Sequence, residues 1–274
     1  MLTDAAARSA LGIDLTSTRL VIGASYGNDS LALIQVVFEE GWRNVDVVYS
    51  DTGWAARWWP ERVARMETWV RSLGFRPHIV ASEGMRALVD RKKGWPRQGI
   101  QFCTEELKIK PAIDWLEKND PEKLSIRAVG VRREESENRA SFPVWRASNP
   151  ADGGRPCYAP LASFTVEQRD AALHRAGFEP LPHRSKECFP CINSNRADLL
   201  VLAEDEQRIA EIEQIENDMG FTGKGKPKTM FRPYRYMGAT GIREVVRWAK
   251  SDRGKFSLDD GTGGGNCDGG YCGT

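Results

Sequence analysis

The sequence lacks long apolar runs and any imbalance of charge. No apolar stretch approaches the roughly 20 residues that a membrane-spanning helix needs, and no basic segment followed by an apolar core stands near the first residue. We therefore expect a cytoplasmic protein that does not associate with a membrane. Lys and Arg total 39 against 38 for Asp and Glu, a net charge of +1, so any basic binding site must be local.

Histidine and cysteine are also scarce, with three and six residues. In a cytoplasmic setting, six cysteines favour metal binding or redox chemistry over structural disulfides. The chain has 274 residues, of which 41% are hydrophobic. This is enough apolar material for one large α/β core, or for a core with a smaller appendage.

Short apolar strands alternate with amphipathic helices over the first half of the chain. This alternation predicts a parallel sheet with helices on both faces and with ligands beyond the carboxyl ends of the strands. Strand patterns cover residues 20–22, 44–50, 78–81 and 125–130, and helical patterns cover residues 5–11, 31–37, 60–74, 107–118, 199–219 and 240–250.

The first predicted strand ends in a turn of small and polar residues over 23–30, Gly-Ala-Ser-Tyr-Gly-Asn-Asp-Ser. Asp29 and Ser30 are expected to cap the helix that follows. The unpaired N–H groups and the positive dipole end of a helix start favour an anion. The turn is therefore either a phosphate or sulfate site or an ordinary strand–turn–helix junction that binds nothing.

Two more polar segments follow predicted strands. Asp51 begins an Asp-Thr-Gly turn after the second strand, where an Asx turn is the structural alternative to a binding role. Residues 131–139 are densely charged and include Arg132, Arg133 and Arg139. These guanidinium groups could clamp phosphate or sulfate, or the segment could be a solvated, acid-rich helix start.

A Cys-x-x-Cys pair, Cys188 and Cys191, precedes a predicted helix start at residues 193–195. Two thiolates at this spacing can bind one metal centre. Spacing alone leaves a [4Fe–4S] cluster, a zinc site and a redox dithiol open. Cys103 and Cys157 are the candidates for further ligands, whereas Cys267 and Cys272 lie in a glycine-rich end that we expect to be a flexible tail.

Residues 223–236 are basic and aromatic, but they lack the Gly-x-x-x-x-Gly-Lys-Ser/Thr spacing of a Walker A loop. The positive charges would suit a phosphate backbone, and Phe231, Tyr234 and Tyr236 could stack on bases. A basic surface loop without a nucleic-acid role is the alternative. DNA or RNA is thus one candidate partner.

Taken together, these segments resemble the PP-loop ATP pyrophosphatase and PAPS reductase superfamily. Residues 25–30 resemble its Ser-Gly-Gly-x-Asp-Ser loop, with Tyr26 at one glycine position. The other matching segments are Asp51-Thr-Gly, residues 103–111 (Cys-Thr-x-x-Leu-Lys-x-x-Pro), residues 130–136 with Arg139 (Gly-x-Arg-x-x-Glu-Ser) and residues 160–165 (Pro-Leu-x-x-Phe-Thr, where the family has Trp). The order and spacing match from residue 18 to about residue 175.

The resemblance implies an α/β fold of the adenine-nucleotide α-hydrolase type, with a parallel twisted sheet and helices on both faces. It places this domain at residues 1–178, a helical cysteine-containing part at 179–255 and the tail at 256–274. It further implies ATP or PAPS with Mg²⁺ at the first loop, and Asp51 near the ribose or the Mg²⁺. The implied nucleotide-binding residues are Ser25, Gly27, Asn28, Asp29, Ser30, Asp51, Thr52, Gly53, Gly130, Arg132 and Arg133.

Asp29, Lys108 and Arg132 are the implied catalytic residues. Lys108 and Arg132 would neutralise the transferred or leaving group. The cysteine pattern resembles DndC-type DNA-phosphorothioation proteins and phage PAPS reductase-like proteins, which implies a [4Fe–4S] cluster on Cys103, Cys157, Cys188 and Cys191. Without Cys157, a three-cysteine cluster would leave one iron open to a sulfur donor.

The leading hypothesis is ATP-dependent adenylation and sulfur transfer to a nucleic acid or nucleotide, with sulfur from a desulfurase. The Asp29-Ser30 pair favours it, because many sulfonucleotide reductases lack this pair. One alternative is reduction of PAPS or APS to sulfite with thioredoxin, although the Glu-Cys-Gly-x-His motif of those reductases is absent. The other is a non-catalytic nucleotide- or DNA-binding protein in which Tyr26 closes the loop. A homo-oligomer is left open.

Overall fold

A computed structural model describes residues 12–97, 99–231 and 240–252. Its centre is a six-stranded sheet in the order β3-β2-β1-β4-β6-β5. Strands β1 to β4 and β6 run parallel, and β5 pairs antiparallel with β6 at one edge. The strands are β1 Leu20–Gly23, β2 Val45–Asp51, β3 Arg76–Ala81, β4 Ile126–Ala128, β5 Trp145–Asn149 and β6 Arg155–Tyr158.

Helices connect the strands and extend the second half of the chain. A short α-helical turn, Phe102–Thr104, and a π-helical run, Glu105–Ile109, lead directly into α4. None of the described helices is both long and apolar enough to cross a membrane. The helices are α1 Asn28–Glu39, α2 Trp59–Ser72, α3 Gly84–Lys92, α4 Lys110–Asn119, α5 Val166–Arg175, α6 Arg196–Leu202, α7 Glu206–Met219 and α8 Ile242–Lys250.

The core forms around β1, which is apolar, and around the apolar residues of β2 and β4. Leu20 and Ile22 of β1 and Val45 and Val47 of β2 are completely buried. Helix α1 packs against α5 as well as the sheet, so its residues 28–37 are all buried. A continuous apolar run is what a parallel strand buried on both faces requires. The predicted parallel α/β sheet is thus confirmed.

The strand order reverses next to β1, which places the candidate ligand site. From β1 the chain proceeds to β2 and β3 on one side, and it returns to β4 on the other. The loops after β1 and β4 therefore meet at the carboxyl ends of adjacent strands, where open α/β sheets bind ligands. The contact is close: a Cβ added at Gly130 would stand 3.2 Å from the carbonyl oxygen of Asp29.

The second half contains short helices rather than the single long helix that the pattern over residues 199–219 predicts. Asp205 interrupts it, because its carboxylate accepts a hydrogen bond from the Arg208 N–H (2.9 Å) and caps α7. Asn195 caps α6 in the same way through the Asp198 N–H (3.0 Å), as the sequence predicts. Helix α8 confirms the predicted helix over 240–250 and packs against α6 and α7.

Several predictions concern chain outside the described residues. They are the helix over residues 5–11 and the tail over 256–274 with Cys267 and Cys272. The domain boundary at residue 178 stays a prediction.

Candidate functional site

The loop after β1 is tied together by its own side chains. The Ser25 hydroxyl accepts a hydrogen bond from the Gly27 N–H (3.2 Å) and lies 3.4 Å from the Ser30 hydroxyl, which in turn donates to the Gly27 carbonyl (3.1 Å). Gly27 is the N-cap of α1, so Asp29 and Ser30 lie inside the first turn. The expectation that they cap the helix is therefore wrong. The first N–H groups of α1 have no side-chain cap, as an anion site requires.

Tyr26 keeps the turn that a glycine would give. Its φ angle is +58°, in the left-handed region that costs a non-glycine residue roughly 1–2 kcal/mol. Two contacts offset this cost. The ring stacks on Tyr49 with 5.6 Å between centroids, and the carbonyl accepts a hydrogen bond from Arg62 Nε (2.9 Å).

Asp29 and Arg132 form a buried ion pair between the loops after β1 and β4. Arg132 Nε lies 2.6 Å from Asp29 Oδ1, and both side chains are almost fully buried. Although burial disfavours its charge, the Asp29 carboxylate raises the pKa of Arg132. Asp29 Oδ2 is buried with no hydrogen-bond partner among the described residues. An unpaired buried oxygen is costly, so this atom fits a bound cation or donor group.

Asp51, Thr52 and Arg133 have protein partners. Asp51 Oδ1 accepts from the Gly53 N–H (2.9 Å) at the exposed end of β2, which is an Asx turn. The buried Thr52 hydroxyl donates to the Glu187 carbonyl (2.5 Å). Arg133 Nε donates to the Phe142 carbonyl (2.8 Å). These contacts give all three residues a structural role whether or not a nucleotide binds.

Residues 181–191, which include the Cys-x-x-Cys pair, pack directly on the loop after β1. The Asn28 side-chain amide donates to the Leu181 carbonyl (3.0 Å) and accepts from the Leu181 N–H (2.9 Å). A Cβ added at Gly27 would stand 2.9 Å from Ser185 Cβ. Further along, the Phe189 N–H donates to the Trp54 carbonyl (2.7 Å). We call residues 181–191 the thiol segment.

Cys103, Cys188 and Cys191 line one pocket together with Lys108 and Thr52. We call it the thiol pocket. Burial, aided by the nearby Cys191 thiol, raises the pKa of Cys103 to about 11, and burial raises the pKa of Cys188 well above its usual value. The Asn193 N–H donates to Cys191 Sγ (3.5 Å). The raised pKa values keep Cys103 and Cys188 protonated at neutral pH, and a bound cationic centre would favour their thiolates.

Cys157 packs apart from these three cysteines, and its role as a fourth ligand stays a prediction. It lies in β6 and packs with Val129, Val131 and Ala159 in a different apolar cluster. The reason is topological: β6 lies beyond β4, whereas the thiol segment packs near the end of β2. Within the described chain, no three His, Cys, Asp or Glu side chains are arranged to hold a metal ion.

A buried ion pair that sequence reasoning missed borders the thiol pocket. Lys108 Nζ lies 2.5 Å from Glu187 Oε1, and the side chains are only 11% and 5% exposed. Although burial disfavours the ammonium, the Glu187 carboxylate raises the pKa of Lys108. Glu187 directly precedes Cys188, and Lys108 belongs to the π-helical run after Cys103. No sequence pattern marks Glu187, because its partner is 79 residues away.

The basic stretch over residues 223–236 is only partly described. Lys224 and Lys226 are exposed in a turn that ends at Met230, whose N–H donates to Glu216 Oε1 (2.9 Å). Tyr234 and Tyr236 lie outside the described residues. The nucleic-acid role of this stretch stays a prediction.

Two curated relatives match part of the chain. An uncharacterized 37.8 kDa protein of Escherichia phage 186 is 30% identical over 191 residues, which are 61% of this chain and 56% of that protein. An uncharacterized protein of Methanocaldococcus jannaschii is 27% identical over 122 residues, 44% of this chain and 24% of that protein. The chain therefore spans about half the length of the phage protein and about a quarter of the length of the Methanocaldococcus protein.

Several solved structures have low similarity to this chain. A phosphoadenylyl-sulfate reductase from Candida auris, in a phosphate complex, has a TM-score of 0.43 at 13% identity and covers 66% of this chain and 90% of that one. The U34-tRNA thiolase NcsA from Methanococcus maripaludis, with its [4Fe-4S] cluster, has a TM-score of 0.42 at 14% identity, covering 77% and 72%. The ammonia-dependent NAD synthetase from Campylobacter jejuni scores 0.40 at 14% identity, covering 73% and 83%.

A protein-family model matches the chain from the start of the sheet into the thiol segment. It describes the phosphoadenosine phosphosulfate reductase domain and covers residues 19–187, more than half of the chain. This range includes the loop after β1, the Asp29–Arg132 pair and Lys108. The chain belongs to the phosphoadenosine phosphosulfate reductase domain family.

Proposed function

We propose that the chain is an iron–sulfur enzyme that uses ATP to activate an acceptor and then transfers sulfur to it. The observation that carries the proposal is the packing of the thiol segment on the loop after β1. The Asn28–Leu181 hydrogen bonds and the Gly27–Ser185 contact join a candidate phosphate site to a pocket lined by three thiols. Sulfur chemistry and nucleotide chemistry would thus occur on adjacent segments.

The chemistry of the donor set supports a [4Fe–4S] cluster at Cys103, Cys188 and Cys191. Each thiolate of a cluster binds a different iron, so cluster ligands stand farther apart than the ligands of one zinc ion. Cys103, Cys188 and Cys191 line one pocket, which supports a metal centre shared by all three. When bound, such a cluster with three protein ligands would supply an iron open to sulfur from a donor.

The residues of the loops after β1 and β4 would bind and orient the nucleotide. The free N–H groups at the start of α1 would bind phosphate, and Asp29 Oδ2 would take the Mg²⁺ that accompanies ATP. Arg132, fixed by Asp29, would face the negative charge that develops at phosphorus. An acceptor oxygen attacks the α-phosphorus and pyrophosphate leaves. Sulfide from the donor then attacks the activated carbon, and the C–O bond breaks to release AMP.

Metal analysis of the anaerobically purified full chain tests the cluster. We expect iron and acid-labile sulfide, with an absorption band that bleaches on reduction. Replacing Cys103, Cys188 or Cys191 by Ser should abolish iron binding. Cys157→Ser is the matched control and should retain it, because Cys157 packs in a separate cluster. Stoichiometric zinc without iron would contradict the proposal.

Turnover tests the reaction class. The iron-containing protein is incubated anaerobically with ATP and Mg²⁺, with and without DNA or RNA, and separately with PAPS and thioredoxin. AMP and pyrophosphate from ATP are expected. The second candidate, reduction of PAPS to sulfite, is favoured by the description of the matching family domain, and sulfite formation would establish it instead. No turnover of either nucleotide would favour a non-catalytic binding protein.

A further inference from the structure

An exposed indole marks the surface beside the candidate site. Trp58, just before α2, is 44% exposed. Its ring makes edge contacts with Trp59 (5.3 Å between centroids) and with His183 of the thiol segment (5.6 Å). These neighbours hold the ring from the side. An indole held in this way offers a face on which a planar group can stack.

Two arginines of α2, Arg62 and Arg65, follow Trp58 in the chain, and neither has a carboxylate partner among the described residues. Arg62 lies over Trp59 (5.4 Å) and donates to the Tyr26 carbonyl in the loop after β1. Arg65 is exposed and lies over Phe178 (5.7 Å). Burial, together with the nearby Arg65 charge, lowers the pKa of Arg62 to about 10.

Not every arginine of α2 lacks a carboxylate partner. Arg71 of the same helix pairs with Glu67 (3.3 Å). Two adjacent guanidinium groups repel each other, so an anion that binds both would remove an unfavourable interaction. Trp58 contacts Trp59, Arg62 lies over Trp59, and Arg65 is close enough to Arg62 to affect its pKa. The surface is therefore complementary to a base together with phosphates.

We propose that one surface strip binds single-stranded nucleic acid. The strip consists of Trp58, Arg62, Arg65, Phe178 and His183, and we call it the aromatic–arginine strip. A base would stack on Trp58, and phosphates would contact Arg62 and Arg65. The strip adjoins both the loop after β1, through Tyr26, and the thiol segment, through His183. On the basis of the proposed function, the bound strand is the sulfur acceptor.

Fluorescence anisotropy with a labelled single strand of about 12 nucleotides, as DNA and as RNA, tests the strip. Trp58→Ala should weaken binding about 5- to 150-fold, the usual range for loss of one stacked base. Trp58→Phe should retain most of the affinity. Arg65→Gln should lower the slope of log K against log salt by about 0.7, the value for one phosphate contact on a single strand. Arg71→Gln, on the same helix but paired with a carboxylate, should leave the slope unchanged.

Affinity that is unchanged in both Trp58→Ala and Arg65→Gln would overturn the inference. A competition experiment could also overturn it. If AMP displaced the strand, and if Trp58→Ala and Arg65→Gln weakened AMP binding as much as strand binding, the strip would be a mononucleotide site. Arg65 is exposed, so its variant decides the question if Trp58→Ala proves unstable. Iron content and pyrophosphate release, measured on the same preparations, test the proposed function separately. Strand binding without turnover would support the strip and contradict the enzyme.

Discussion

Glu187→Gln is expected to lower the free energy of unfolding by about 3–5 kcal/mol, the usual cost of leaving one partner of a buried ion pair uncompensated. The substitution keeps the shape of the side chain but removes the charge that faces Lys108 at 2.5 Å. Both side chains are almost entirely shielded from water, so solvent cannot replace the lost carboxylate. Urea denaturation with linear extrapolation measures the change.

Asp218→Asn is the matched control. Asp218 pairs with Arg86 at 2.6 Å, but these side chains are 40% and 44% exposed, and an exposed pair contributes only about 0–1 kcal/mol. If Glu187→Gln cost no more than this control, the Lys108–Glu187 pair would have to be solvated, and the buried arrangement beside the thiol pocket would be refuted.

The double variant Lys108→Met/Glu187→Leu separates stability from function. Because it removes both charges, it should recover much of the stability that Glu187→Gln loses. It should nevertheless fail to release pyrophosphate from ATP if the Lys108 charge acts on the nucleotide, as the family resemblance implies. A double variant with full turnover would limit Lys108 to a structural role.

Three further predictions concern the sheet and its loops. Tyr26→Gly should destabilise the protein by about 1–4 kcal/mol in urea denaturation, since the lost contact with Tyr49 outweighs the relief of a left-handed φ. Gly130→Ala should weaken ATP binding in equilibrium dialysis, because its Cβ would crowd the Asp29 carbonyl, whereas Gly23→Ala, with nothing within 4 Å, should not. Although burial opposes it, hydrogen bonds from Arg76, Arg19 and His78 lower the pKa of Asp46 to about 2. The stability from Asp46 is therefore present above about pH 4 and lost as pH falls towards 2, and Asp46→Asn should flatten this part of a denaturation–pH profile.

The succession of strands and loops along the chain could be predicted, because it depends on local sequence patterns. The apolar runs at β1 and β2 and the turns that follow them are readable residue by residue. In a parallel sheet such turns necessarily gather at one edge. That rule places both loops at one edge, and the adjacency of β1 and β4 in the sheet brings them into contact at Gly130 and Asp29.

The contacts of the thiol segment could not be predicted, because they join residues far apart in sequence. Asn28 and Leu181 are separated by 153 positions, and no local pattern records their pairing. The place of Cys157 in the fold could not be predicted for a related reason. Its distance from Cys188 along the chain says nothing about the place of β6 in the sheet, which follows from strand order.

Two residues that resemble nucleotide ligands in sequence instead hold the thiol segment in place. Asn28 uses its amide nitrogen and oxygen on the Leu181 backbone, and the Thr52 hydroxyl donates to the Glu187 carbonyl. In the proposed function, the groups left for phosphate are therefore chiefly the backbone N–H groups of α1, and the unpaired oxygen of Asp29 is left for the Mg²⁺. Because Asn28 belongs to the first turn of α1, a ligand that shifts this turn must also act on the segment that contains Cys188 and Cys191. Nucleotide binding as proposed would thus be mechanically connected to the thiol pocket through the Asn28 amide, together with the Gly27–Ser185 contact.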